Sequence, residues 1–161
     1  MTTAAFFPWS ENNHIDIQEV DEQHKALAGL VNRLHEALGE GQDKASLRAT
    51  LDHLAESTRG HFLLEESLMR LTHYPGFDIH KQQHEDLMER MRTLQLYLDG
   101  EDTTITLDVL EFLREWLILH ITDSDKRFGQ HFQMAGLGKY AKWTSEATRS
   151  MGGRKSWWKF W

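Results

Sequence analysis

The chain has 161 residues, with 25 acidic and 18 basic side chains, a formal net charge of -7 and no cysteine. That length fits one domain, the acidity argues against a nucleic-acid partner, and the missing cysteines exclude a disulfide framework, so a reducing cytoplasm is the expected setting. No apolar run approaches a membrane span, and Met1 to Ser10 offers only Ala4-Ala5-Phe6-Phe7 without a basic flank, which does not make a signal peptide.

Beyond this leader, apolar residues recur at three- and four-residue intervals, the mark of an amphipathic helix facing a core. The first stripe runs Val20, His24, Leu27, Val31, Leu34, Leu38 and is stopped by Gly39 and Gly41. The second runs Leu47, Leu51, Leu54, Thr58, His61, Glu65, Leu68 and breaks near Tyr74-Pro75-Gly76. The third runs Phe77, His80, His84, Leu87, Met91, Leu94, Leu98 and ends at Asp99-Gly100. The fourth follows a start signal at Thr103-Thr104 and runs Leu110, Leu113, Leu117, His120. Short connections make neighbouring helices antiparallel. The expected fold is therefore all-α: an antiparallel up-down-up-down four-helix bundle with its leader over residues 1–132, and a C-terminal extension over 133–161.

Ligand-type residues stand in these stripes where leucine or valine belongs: His24, His61, Glu65, His80, His84, His120 and, further on, Asp125. In antiparallel order they share one level of the bundle, while the opposite level is ordinary leucine packing. His61 with Glu65, and His80 with His84, are four apart and project to one side of their helices. His120 and Asp125 are five apart, roughly 140° around an ideal helix. One extra residue inserted as a π-type distortion near Ile121 to Ser124 brings Asp125, Phe128 and Phe132 back into phase, and such distortions often mark functional sites.

Any one of these histidines alone reads as a core or surface residue. Seven buried together, without partners, would cost several kcal/mol each, and coordination offsets that. One structural zinc is closed by four ligands, so seven point to two ions bridged by Glu65 and Asp125. With a bridging oxide or hydroxide, one coordination position stays open for a small exogenous ligand. Mixed imidazole and carboxylate donors suit iron, with manganese or zinc as alternatives.

The segments Asp21-Glu22-Gln23-His24, His61-Phe62-Leu63-Leu64-Glu65-Glu66, Tyr74-Pro75-Gly76 with His80-Lys81-Gln82-Gln83-His84, and Trp116-Leu117-Ile118-Leu119-His120-Ile121 with Asp125 resemble the bacterial hemerythrins. The resemblance spans roughly Trp9 to Phe132. It implies one iron held by His80, His84 and His120, another by His24 and His61, bridging by Glu65 and Asp125, and dioxygen bound at the two-histidine iron. Ferritin-like oxidases differ, because they use two Glu-x-x-His motifs on bundle helices; the one such spelling here, Glu11-Asn12-Asn13-His14, precedes the first helix. His84-Glu85 and His35-Glu36 lack the second histidine of a zinc protease motif.

The expected function is reversible dioxygen binding for storage or delivery by a soluble non-haem di-iron carrier, not an enzyme. The alternatives are an oxygen or redox sensor, and a di-iron enzyme of peroxidase or nitric oxide reductase type. An apolar pocket for oxygen is expected from Leu117 and Trp116, with Phe62 and Ile121 beside them and Leu27 and Leu64 behind. His14, His35, His53, His73 and His131 have no partner at metal spacing.

The extension is different in kind. Residues 133–161 hold six of the 18 basic residues against one acid, Glu146, and four of the six tryptophans: Trp143, Trp157, Trp158 and Trp161. Gly136, Gly138 and Gly152-Gly153 read as hinges around a short helix from about Lys139 to Ser150. Such a segment can fold back on the acidic bundle, lie on a membrane surface, or dock an oxygen-consuming partner such as an oxygenase, or a second copy.

Overall fold

The computed structural model describes residues 4–136; the helix expected over Lys139 to Ser150, and nearly all of the basic extension, lie outside the described residues. After a 3-10 turn at Glu11–Asn13, the chain forms α1 (Gln18–Gly39), α2 (Lys44–Leu71), α3 (Phe77–Leu98) and α4 (Leu107–Leu119). A π-helical segment, His120–Asp125, leads directly into α5 (Lys126–Met134). The described residues contain no strand, and the four long helices form a bundle in which α1 packs on α2 and α4, and α2 on α3.

Local chemistry sets the boundaries. The Asp43 side chain caps α2 by accepting from the Ser46 amide at 2.8 Å. At its far end His73 adopts φ 52° and the Tyr74 amide returns to the Met69 carbonyl, which stops the helix and turns the chain in time for Gly76 to begin α3. The fourth helix begins later than Thr103-Thr104 suggests. Ile105 is drawn into the core, so Thr106 is the residue that precedes α4.

Two apolar clusters hold the bundle. The larger includes Leu27, Val31, Leu34, Leu51, Leu54, Leu87, Leu110 and Leu117. The smaller joins Ile15, Ile17, Val20, Met69, Phe128 and Phe132 at the end where α5 lies. On α1, α2 and the α4 to α5 run, the ligand-type residues separate members of one cluster from members of the other. The polar layer is thus sealed above and below by hydrocarbon.

The leader is part of this packing. Phe7 is buried, its amide donates to Asn32 Oδ1 at 2.6 Å, and its carbonyl accepts from Asn32 Nδ2 at 3.0 Å. Phe6 stacks on His35 with ring centroids 4.1 Å apart. Before α1, the Asp21 carboxylate takes the amides of Ile15 and Asp16, holding Asp16 at φ 65°. Gly129 of α5 presses against this turn: a Cβ there would lie 2.4 Å from the Ile15 carbonyl oxygen. None of the helices among the described residues is long and apolar enough to cross a membrane.

Candidate metal centre

The seven expected residues meet at one level. His24 lies near the start of α1, His61 and Glu65 toward the end of α2, His80 and His84 near the start of α3, and His120 and Asp125 at the two ends of the π-segment. All are buried; the most accessible, His120, is 5 % exposed. The π-segment lets His120 and Asp125, five apart, face the same interior.

The donors divide into two overlapping groups, each with one atom per residue within 4.8 Å of all the others. One contains Glu65, His80, His84, His120 and Asp125, and the other His24, His61, Glu65 and Asp125. Asp125 spans them: Oδ2 is 2.9 Å from His24 Nε2, while Oδ1 is 3.0 Å from His80 Nε2 and 2.9 Å from His120 Nε2. Glu65 does likewise, with Oε1 3.8 Å from His24 and Oε2 3.3 Å from His84.

These approaches are short but are not hydrogen bonds. Both ring nitrogens of His24, both oxygens of Glu65, His80 Nε2 and both oxygens of Asp125 are buried with no hydrogen-bond partner. An unsatisfied buried polar group costs on the order of 1–3 kcal/mol, and all of these atoms but His24 Nδ1, on the far side of its ring, face the cluster and need something to complete them. Carboxylate and imidazole lone pairs aimed at common points are completed by a cation. The residues present therefore fit a metal site.

The electrostatics agrees. Burial pushes the His61 imidazole down to about 3, leaving it a neutral donor. Burial also opposes charge on His80, yet the adjoining Asp125 and Glu65 carboxylates hold it up at about 9. His24 is raised in the same way, against burial, chiefly by Asp125. Asp125 is held well below the usual carboxylate range, against its burial, by His120, His24 and His80. Burial and the charge of Asp125 both oppose ionisation of Glu65, but His61, His80 and His84 outweigh them and hold it low. Two ionised carboxylates in an apolar interior demand positive charge.

Around this layer lie residues that periodicity did not single out. Gln23 and Glu66, both buried, reach to neighbouring helices: Gln23 Oε1 accepts from His61 Nδ1 at 2.8 Å, and Glu66 Oε1 accepts from His84 Nδ1 at 3.1 Å. Ser124 Oγ donates to Gln83 Oε1 at 2.7 Å and ties the π-segment to α3. Each of these residues adjoins an expected ligand in sequence, and that adjacency is the signal that could have found them.

Of the expected pocket residues, Phe62, Leu117 and Ile121 are buried and Trp116 is half-buried. Phe62 stacks on His84 at 3.6 Å between centroids, and Trp116 on His120 at 4.5 Å. Both aromatics therefore hold rings of the three-histidine group. On the other side, a groove of about 510 Å³ between α1 and α2 has buried Gln23 and His61 among its lining, together with Leu27 and Leu64. Gly29 and Gly60 widen it, since a Cβ at either would meet nothing within 4 Å. His35 and His131 stand apart from the cluster; His131 Nε2 bonds the Thr72 carbonyl.

Fold and site together define a helical-bundle protein with a buried histidine and carboxylate cluster able to hold metal ions. Residues 15–131 match the family model of the hemerythrin HHE cation binding domain. The chain belongs to the hemerythrin family, which is known for binding non-haem iron and oxygen. It is 30% identical over 139 residues to a bacteriohemerythrin of Stenotrophomonas maltophilia, covering 86% of this chain and 88% of that one. It is 32% identical over 109 residues to the bacteriohemerythrin of Methylococcus capsulatus, covering 68% and 82% respectively. A crystal structure of wild-type hemerythrin superposes with a TM-score of 0.75 at 29% identity, covering 80% of this chain and 98% of that one.

Proposed function

We propose that the chain is a cytoplasmic oxygen carrier, binding dioxygen reversibly at a non-haem di-iron centre for storage or delivery rather than catalysing a reaction. The carrying observation is the split of donors into groups of five and four that share Glu65 and Asp125. In this reading His80, His84 and His120 would hold one iron and His24 and His61 the other, with Glu65 and Asp125, common to both donor groups, shared between them. The chemistry that such a pair supplies is reversible, redox-coupled binding of dioxygen.

The chain's own residues then divide the remaining tasks. The two-histidine group has one protein donor fewer, so a metal held there would keep more room for a small ligand such as dioxygen. The α1–α2 groove gives an apolar approach to that side past Leu27 and Leu64. Leu117 and Ile121 close the interior against water, and Phe62 and Trp116 fix ring planes on the opposite side. Five imidazoles, neutral once they bind metal, outnumber two carboxylates, which favours holding oxygen over driving iron to high oxidation states.

Repeated oxygen and argon cycles on the iron-loaded full chain, followed by optical spectroscopy, test this reading. A carrier returns each time to the same deoxy spectrum with an iron content near two per chain. Steady consumption of oxygen or reductant, or a spectrum that never recovers, refutes it.

A further inference from the structure

The bonds that hold the outer nitrogens of His61 and His84 are alike in geometry and unlike in charge. His61 donates to a neutral carboxamide, Gln23, across the α1–α2 interface. His84 donates to a carboxylate, Glu66, across the α2–α3 interface. Both acceptors are 8 % exposed, so neither is screened as a surface group would be. A buried carboxylate on the far nitrogen makes an imidazole a stronger donor, whereas an amide fixes tautomer and orientation without adding charge. The other buried carboxylate near the cluster, Asp21, acts on His24 only through space and spends its oxygens on the Ile15 and Asp16 amides.

We infer that Glu66 and Gln23 make the two metal positions unequal. Glu66 strengthens the three-histidine position through His84, so that position fills first and holds its ion harder, and Gln23 leaves His61 a weaker donor at the two-histidine position. The inference rests on the di-iron reading of the site and extends it, because charge placed outside the ligand shell separates the position that anchors from the position that exchanges. It also makes the three-histidine ion the one that better tolerates a higher oxidation state. The two-histidine ion, beside the groove, stays the one whose ligand can leave.

Donor number alone already favours the three-histidine position, so the decisive experiment moves the charge and keeps the ligands. Metal-free full-length chain is titrated with zinc by calorimetry, and imidazole nitrogen NMR assigns each step to His84 and His120 or to His24 and His61. The wild type is expected to show two steps, the three-histidine rings shifting first. In Q23E/E66Q each ring keeps an oxygen acceptor, and the gap between the two affinities narrows at least about tenfold, since loss of an outer partner of this kind costs roughly 10–100-fold in metal affinity. Q23E alone, which leaves Glu66 in place, tightens only the second step and serves if the double variant does not fold.

Two zinc ions bound with the gap unchanged in both variants overturn this inference and leave the di-iron reading standing. One zinc or none at saturation overturns both.

Discussion

A paired change in the π-segment, inserting one alanine after Thr122 or deleting Thr122, tests what the extra residue does. An α-helix turns about 100° per residue. Insertion therefore swings everything after Thr122 by that angle, removing Asp125 from the cluster and Phe128 and Phe132 from the smaller apolar core, where they are 0 % and 3 % exposed. Burying one such side chain is worth about 1.5–3 kcal/mol, so the pair loses about 3–6 kcal/mol. Gly129 also leaves the Ile15 carbonyl that only a glycine can approach. For a protein of this size the loss lowers Tm by on the order of 10–20 °C. Deletion does the opposite: it sets His120 and Asp125 four apart, keeps Phe128 and Phe132 on the inward line, and forfeits chiefly an exposed hydroxyl bond from Thr122 to the Ile118 carbonyl. Its expected cost is within about 2 kcal/mol, with weaker metal binding because Asp125 is drawn back along the helix. Thermal unfolding by circular dichroism, with zinc titration alongside, measures both. A deletion as damaging to the metal-free fold as the insertion would refute the idea that the π-segment is one spare residue in an otherwise continuous helix.

Other outcomes follow from the same structure. Gly129→Ala places a Cβ 2.4 Å from the Ile15 oxygen and is expected to cost about 1–3 kcal/mol in urea denaturation; an unchanged midpoint would contradict the tight approach. Leu117→Ala opens a void in the wall and should cost about 2–5 kcal/mol while speeding oxidation of the oxygenated protein several-fold, and an unaltered oxidation rate would remove Leu117 from any shielding role. Gly60→Leu partly fills the groove and should slow oxygen association in flash photolysis without changing iron content; an unaffected rate would mean that oxygen enters elsewhere. Metal binding should release a proton at pH 7, because His80 is held up at about 9 and must lose its proton to become a donor. Its raised value makes His80 stabilise the metal-free fold fully below about pH 6.5, a contribution lost as pH rises through about 9, so metal affinity climbs across that window and levels off above it. Calorimetry in buffers of different ionisation enthalpy reads the proton count, and a count of zero would argue against the charge on His80.

The ligand level was legible because a helix has one inward line, and a histidine or acid on that line has no inexpensive alternative to a partner. Even the π-segment could be read, since His120, Asp125, Phe128 and Phe132 share a line only if one residue between them is spare. What a single helix's period does not encode is the direction of the next helix. Gln23 lies one residue before His24, and Glu66 one residue after Glu65, each about 100° off the inward line, so each reads as a solvated face until α2 or α3 is set beside it. The same holds for Phe6 and Phe7, which read as a featureless leader until Asn32 and His35 of α1 supply partners. Gly29 and Gly60 likewise become a groove only when two helices face each other. The inward line therefore fixes which donors gather in the cluster, whereas in the proposed reading the positions one step off it decide how unequal two metal positions would be. On that reading, two chains with the same seven clustered residues and different residues at 23 and 66 would share a fold while differing in which ion is held more tightly.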